Sequence, residues 1–310
     1  MAKFSDQISR IILIFLLLVV ISGWINIAAS LLLGMAYAVI LGNPFQLKTQ
    51  WASGILLKVS IVVMGFGLNI KEILETAVDG FFITVLTIIF AIVCGLLIGK
   101  LASVDKKLSF LITGGTAICG ASAIAAFAPA IHARPTHILV SISIVFLLNA
   151  LALLVYPELG KYLGLTQQEF GMWAALGIHD TSSVVGAAAS YGEESLKIAT
   201  TTKLARALWI IPLVFFAAFS FNYKKTSTQI PHFILYFVGA SLLASFVPFL
   251  TPYASYAPLI AKKGMAISLF LIGTGFTRET LKTLQWSALL QGTILWILMS
   301  VISLWLIKLL

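Results

Sequence analysis

Five consecutive polar side chains, His179-Asp180-Thr181-Ser182-Ser183, interrupt an otherwise apolar run between Trp173-Ala174-Ala175-Leu176 and Val184-Val185-Gly186-Ala187. Placing a carboxylate in the middle of a bilayer costs roughly 2.5–3.5 kcal/mol, so such a residue marks a water-filled cavity, an ion path or a substrate path. The hydroxyls and the imidazole beside it are hydrogen-bonding groups for a ligand. Asp180, the one carboxylate deep in an apolar block, is the candidate for coupling to a proton or sodium ion. The alternative is a loop between two short interfacial pieces.

A second polar interruption precedes it. Gly114-Gly115-Thr116-Ala117-Ile118-Cys119-Gly120-Ala121-Ser122-Ala123 packs three glycines, a threonine and a serine into one stretch. Such a stretch is weakly helical. Unwound, it exposes backbone N–H groups at the start of the following half-helix, and these, with the positive end of the helix dipole, bind anions. Thr116, Cys119, Gly120 and Ser122 are its candidate ligand-facing residues. A close helix–helix contact without a ligand is the other reading. Downstream, Lys203 and Arg206 stand three apart and share a helix face. They either neutralise an anion or snorkel to the surface from a helix end. With Lys58 as a third buried cation, positive charge would exceed the single carboxylate and suit an anionic substrate. An enzyme is not expected. His179 neighbours Asp180 and Ser182, but adjacent helical residues do not face each other, and no zinc-ligand spacing occurs. No cofactor is implied.

The elements that must hold these residues are membrane helices. The chain is 60% apolar and 10% charged, against about 25% charged in soluble domains. Its apolar residues fall in blocks of about 20, the thickness of a bilayer core. No polar stretch is long enough for a soluble domain, so residues 1–310 read as one polytopic domain. About eleven spans are expected, at roughly 8–22, 25–42, 52–76, 79–101, 108–131, 136–156, 168–191, 196–221, 232–249, 256–277 and 284–308, helical because lipid offers the backbone no other partners. The first block follows Lys3 and Arg10 like a signal peptide, but no small-residue cleavage site follows, and it is taken as a retained helix. The net charge of +9 lies mainly in short loops. Without interleaved aromatics it argues against nucleic acid. Simple alternation from a cytoplasmic N-terminus puts most Lys and Arg inside and Arg134 outside. Cys94 and Cys119 both lie in apolar blocks and suggest neither a disulfide nor a metal site.

Two short segments are alike: Met64-Gly65-Phe66-Gly67-Leu68-Asn69 and Ile272-Gly273-Thr274-Gly275-Phe276-Thr277. They end spans that run in opposite directions, as an inverted repeat would require. Small residues packing helices together produce the same pattern, and both readings stand at this point.

The stretch Gly115-Thr116-Ala117-Ile118-Cys119-Gly120-Ala121-Ser122-Ala123-Ile124-Ala125-Ala126 closely resembles a signature of the YeiH-type membrane proteins, a family labelled sulfate exporters. His179-Asp180-Thr181-Ser182-Ser183-Val184-Val185-Gly186-Ala187-Ala188, followed by Lys203-Leu204-Ala205-Arg206, resembles its second signature, and Gly65-Phe66-Gly67-Leu68 a third. The resemblance covers nearly the whole chain. It implies an all-helical protein of about 10–11 spans, distantly like sodium/proton antiporters and bile-acid/sodium symporters, with an inverted repeat, discontinuous crossing helices, and panel and core subdomains. The seventh span runs parallel to the fifth in the simple count, whereas that fold requires an antiparallel partner. The expected function is gradient-driven transport of a small anion, such as sulfate, a sulfonate or an organic anion, across a bacterial inner membrane, with room for a homodimer. A cation/proton antiporter of the same fold class is the competing function.

Overall fold

In a computed structural model of the chain, every apolar block is helical. It describes residues 2–25, 27–221, 232–247, 249, 251–254, 256–276 and 285–309. Lys224, Lys225, Thr277, Arg278 and Lys282 lie outside the described residues. The chain divides into two compact units, Met1–Ile73 with Pro231–Lys282, and Leu74–Ile230 with Thr283–Leu310. Among the described residues five helical stretches are long and apolar enough to cross a membrane: Gln46–Gly65, Ile73–Leu101, Pro135–Tyr162, Glu193–Ser220 and Trp286–Lys308. The expectation of eleven full spans is corrected accordingly. Several of the other blocks are shorter apolar helices, and two are not spans at all.

The first unit contains α1 (Ala2–Ser22), α2 (Ile27–Leu41), α3 (Gln46–Gly65), α13 (His232–Phe246), the short α14 (Thr251–Ala254) and α15 (Ala257–Gly273); the unit boundary falls within α4 (Ile70–Asp79). Helices α3 and α15 are antiparallel. Ser268 Oγ donates to Ser53 O at 2.8 Å, Gly264 lies against Ser60, and Gly67 against Pro258. The two similar glycine segments are close-packing sites. A methyl group on Gly65 would strike the backbone of Phe237, and one on Gly273 the backbone of Leu31 and Met35. Lys58 is exposed, which corrects its reading as a buried cation. It shares the outer face of α3 with Trp51 and Ile55, away from the buried Ser53, Ser60 and Met64.

The second unit contains α5 (Phe81–Leu101), α6 (Lys106–Ala117), α7 (Ala121–Ala130), α8 (Pro135–Tyr162), α9 (Gln167–Gly177), α10 (Thr181–Tyr191), α11 (Glu193–Ala207), α12 (Ile210–Ser220) and α16 (Trp286–Lys308). Helices α6 and α7 do not continue one another across a break. At 1.5 Å per residue Lys107 and His132 would then be roughly 37 Å apart, yet Lys107 Nζ donates to His132 O at 2.9 Å. Gly114 packs on Phe127, and Phe110 meets the same ring edge-on at 5.5 Å. The pair is a helical hairpin whose tip is Ile118-Cys119-Gly120. Helices α9 and α10 form a second hairpin with its tip at Ile178-His179-Asp180. Tyr191 Oη donates to Leu165 O at 2.6 Å, and the Tyr191 and Phe170 rings stack at 3.8 Å.

Helix α8 relates the two hairpins. Its 28 residues extend roughly 42 Å. The open base of hairpin 1 adjoins its start and that of hairpin 2 adjoins its end. Both tips touch its middle, Gly120 against Val145 and the Asp180 N–H on Asn149 Oδ1 at 3.2 Å. The hairpins therefore enter from opposite ends of α8. A hairpin returns to the side it left, so Arg134 lies on the same side as Asp105, not across from it as simple alternation has it.

Gln291 on α16 ties hairpin 1 to its neighbours. Its buried amide donates towards Gly95 O at 3.0 Å and Ser109 O at 3.1 Å. At the base of hairpin 1, Asp105 Oδ1 caps α6 by accepting from Lys107 N at 2.9 Å and Leu108 N at 3.3 Å, and it lies 3.7 Å from His137 Nδ1. Burial raises the Asp105 carboxyl, but those two N–H bonds and the nearby His137 and Arg134 outweigh it, and the carboxyl is held below the ordinary aspartate value. A carboxyl depressed in the folded state contributes stability that is complete above its unfolded pKa and is lost as pH falls through the folded one. The thermal midpoint in detergent should therefore start to fall below about pH 4. Asp105→Asn keeps a capping oxygen and should remove that part of the fall. An Asp105→Asn protein with the wild-type acid profile would show that the carboxylate contributes nothing.

Candidate functional site

Four half-helices end at the two tips, and each leaves backbone groups without partners inside its own helix. Hairpin 1 closes α6 with a 6→1 bond from Gly120 N to Gly115 O at 2.8 Å, a helix-ending turn of the Schellman type. Gly120 sits at φ 63°, ψ −126°, a conformation that side-chain-bearing residues avoid. Adding a methyl there would also bring it to 3.1 Å from Val145 Cγ1 and 3.3 Å from Asp180 Cβ. The glycine thus permits both the turn and the meeting of the tips.

The carbonyls at the tips are met by α11. Lys203 Nζ donates to Ala175 O at 3.1 Å and Ile178 O at 2.7 Å. Arg206 Nε donates to Ala117 O at 2.7 Å and its Nη1 to Leu176 O at 2.8 Å. One guanidinium therefore binds the C-terminal ends of α6 and α9 together. Both cations are 0% exposed, so the surface-snorkel reading is wrong for them. Cations at helix C-termini are placed where the dipole favours them.

At the two N-termini the arrangement differs. Asp180 caps α10: its carboxylate accepts from Ser182 N at 3.1 Å and from the Ser182 hydroxyl. The cap of α7 is Gly120, which has no side chain to offer. Among the described residues no ion pair joins Asp180 to Lys203 or Arg206: both cations are engaged by carbonyls.

Of the residues singled out from sequence, Thr116, Cys119, Gly120, His179, Asp180, Thr181, Ser182, Ser183, Lys203 and Arg206 are all buried at or beside the tips. Ser122, on the first turn of α7, is exposed. Several buried polar atoms there have no protein partner: Thr116 Oγ1, both His179 ring nitrogens, Arg206 Nη2 and Asn149 Nδ2. Asn149 was missed from the sequence. Its signal was an amide alone in the apolar stretch Val145-Phe146-Leu147-Leu148-Asn149-Ala150.

The sequence profile of the family described as conserved hypothetical protein 698 matches residues 9–290. The chain belongs to that family. It is the family of the YeiH-type resemblance, and the curated relatives bear the name UPF0324 membrane protein. One from Porphyromonas gingivalis is 42% identical over 97% of this chain and 96% of its own. One from Bdellovibrio bacteriovorus is 43% identical over 89% and 87%, and one from Photobacterium profundum 41% over 97% and 91%. No solved structure matches. The UPF0324 name states a membrane protein and no activity.

Arg206→Lys tests the tip geometry. It keeps the charge, but a single ammonium lacks the rigid fork that holds Ala117 O and Leu176 O from different directions. Losing one charged hydrogen bond should cost about 2 kcal/mol, measured as a lower thermal midpoint and faster proteolysis in detergent. Gly120→Ala should also destabilise, through its positive φ. Unchanged midpoints in both variants would mean that the tips are not held together as described.

Proposed function

We propose that this UPF0324 protein is a secondary transporter of a small anion, driven by an ion gradient and resident in a bacterial inner membrane. The observation that carries this reading is the N-terminus of α7, whose cap residue Gly120 brings no side chain or charge, together with the partnerless buried Arg206 Nη2, Asn149 Nδ2 and Thr116 Oγ1. A helix N-terminus with convergent donors is an anion site, and the buried cations outnumber the buried carboxylate two to one.

The arrangement of the second unit supports transport in particular. Hairpin 1 is followed by α8, which runs from the hairpin 1 base to the hairpin 2 base. Hairpin 2 is followed by α11 and α12, which return: Phe221 after α12 meets Phe110 of hairpin 1 at 5.4 Å. Each half is a hairpin plus a helix, with directions reversed. In the first unit, Gly65 packs on Phe237 and Ala240 of α13 much as Gly273 packs on Leu31 and Gly34 of α2. Inverted repeats around a mid-depth site built from helix ends are a recurrent design of secondary transporters. In this reading Arg206, Asn149, Thr116, His179 and the backbone N–H groups of Ala121 and Ser122 contact the anion, while Lys203 neutralises the end of α9.

Asp180 is the coupling residue of the proposal. Its Cα and Cβ lie against Gly120, so its negative charge, close by at the start of α10, opposes an arriving anion. Protonating it removes that opposition, which links proton and anion binding reciprocally. A cation/proton antiporter would need carboxylates competing for proton and ion; among the residues whose side chains the structure describes, Asp180 is the only buried Asp or Glu. Hydrolysis would need an oriented nucleophile, and neither nitrogen of His179 bonds a hydroxyl.

The test is uptake into liposomes holding purified protein, over a panel of labelled sulfate, methanesulfonate, chloride, formate and sodium. Anion uptake without sodium uptake is expected; sodium uptake alone would select the antiporter. Under an imposed pH gradient, Asp180→Asn should retain exchange of anion for anion and lose proton-driven accumulation. Wild-type accumulation in that variant would remove Asp180 as the coupling site.

A further inference from the structure

We infer that the tip site is tuned to a singly charged anion and that Asp180 sets this valence; the inference rests on the anion reading above. The argument is the sum of the charges that the structure gathers at mid-depth. Each helix end carries roughly half an elementary charge. The C-terminal ends of α6 and α9 together supply about −1 and the N-terminal ends of α7 and α10 about +1, so the four ends cancel. What remains is Lys203, Arg206 and Asp180, all buried. Counted at their formal charges, two cations and one carboxylate leave +1, with the nearby titratable groups His179, Cys119 and Tyr156 taken as neutral.

The surplus has a location. Lys203 spends its ammonium on Ala175 O and Ile178 O, and Asp180 spends its carboxylate on the start of α10. Gly120 brings no charge to the start of α7, where the neutral Cys119 thiol meets the Ala123 N–H, and Arg206 Nη2 is the charged donor without a protein partner. The remaining partnerless groups, Asn149 Nδ2, Thr116 Oγ1 and the His179 nitrogens, add hydrogen bonds and no net charge. A monoanion at this point brings the buried centre to zero. A dianion leaves about one uncompensated negative charge away from water, which is costly at low dielectric. Neutralising Asp180 reverses the preference, because the centre then carries +2.

The ions methanesulfonate and sulfate separate valence from shape, since both are small tetrahedral sulfur oxyanions and differ by one charge. Full-length protein in liposomes at pH 7.5 would be loaded with labelled methanesulfonate, and each ion tested as a competitor for exchange. The wild type should prefer methanesulfonate by roughly tenfold or more, and Asp180→Asn should shift the ratio towards sulfate by at least the same factor, about 1.4 kcal/mol. Asp180→Glu keeps the charge and should keep the wild-type preference. A wild type that binds sulfate as well as or better than methanesulfonate overturns the inference and leaves the anion reading intact, and this measurement stands even if Asp180→Asn does not fold. A wild-type preference for methanesulfonate that Asp180→Asn leaves unchanged overturns the role of Asp180. Binding of neither these nor any other anion of the panel, with sodium taken up, overturns the anion reading itself.

Discussion

Helix ends away from water must find partners, and four of them meet at the centre of the second unit. In a bilayer a backbone carbonyl without a hydrogen bond costs several kcal/mol. Nature's usual solution is to keep helix ends at the interfaces. Here two hairpins carry them to the middle of α8, and the polar residues at that depth follow from that decision. Lys203 and Arg206 are needed because the carbonyls of Ala117, Ala175, Leu176 and Ile178 would otherwise be orphaned. Asp180 is needed because α10 begins there. Asn149 is needed because the Asp180 N–H has no helical acceptor.

The same constraint explains why these side chains sit on α11 and not on the hairpins. A residue on α6 or α9 near its own C-terminus points back towards its N-terminus and reaches its own last carbonyls poorly. A helix lying alongside, with two cations three positions apart on one face, reaches two C-termini at once. Arg206 takes the position that demands two directions, and Lys203 the position where two carbonyls of one chain end converge on a point. The division follows the shapes of the groups, a planar fork and a compact ammonium.

Much of this was legible in the sequence. Block lengths gave nearly every helix, and the glycine-rich stretch with the His179 to Ser183 run located both tips. The pair Lys203 and Arg206 was legible from its spacing of three. The hairpins were not. A hairpin of two short helices and a single broken span have the same length and hydropathy, and contacts such as Lys107–His132 and Tyr191–Leu165 tell them apart. That ambiguity produced the difficulty over parallel fifth and seventh spans: neither is a span, and the hairpins oppose each other because α8 crosses between them. Lys58 was misjudged for a related reason, since hydropathy averages over a helix and hides which face a single lysine occupies.

The two hairpins are alike in topology but are not held alike. Helix α6 is buried at every position from Leu108 to Ala117 and is tied to α5 and α16 through Gln291. Its partner α7 exposes Ser122, Ala125 and Pro129 and begins at a residue that caps nothing. Hairpin 2 is buried throughout from Trp173 to Ala188, with a capping box at Thr166 and Glu169, the Glu169–Lys308 ion pair at 2.8 Å, and stacked Phe170 and Tyr191 at the base. Local stability follows buried contact and satisfied backbone. By that measure α7 is the least secured of the four half-helices at the tips, and it is also the one whose N-terminus faces the partnerless donors. In the anion reading proposed above, this least secured half-helix is the one that contributes backbone N–H groups to the ligand, which would link binding to the ordering of the half-helix through the same groups.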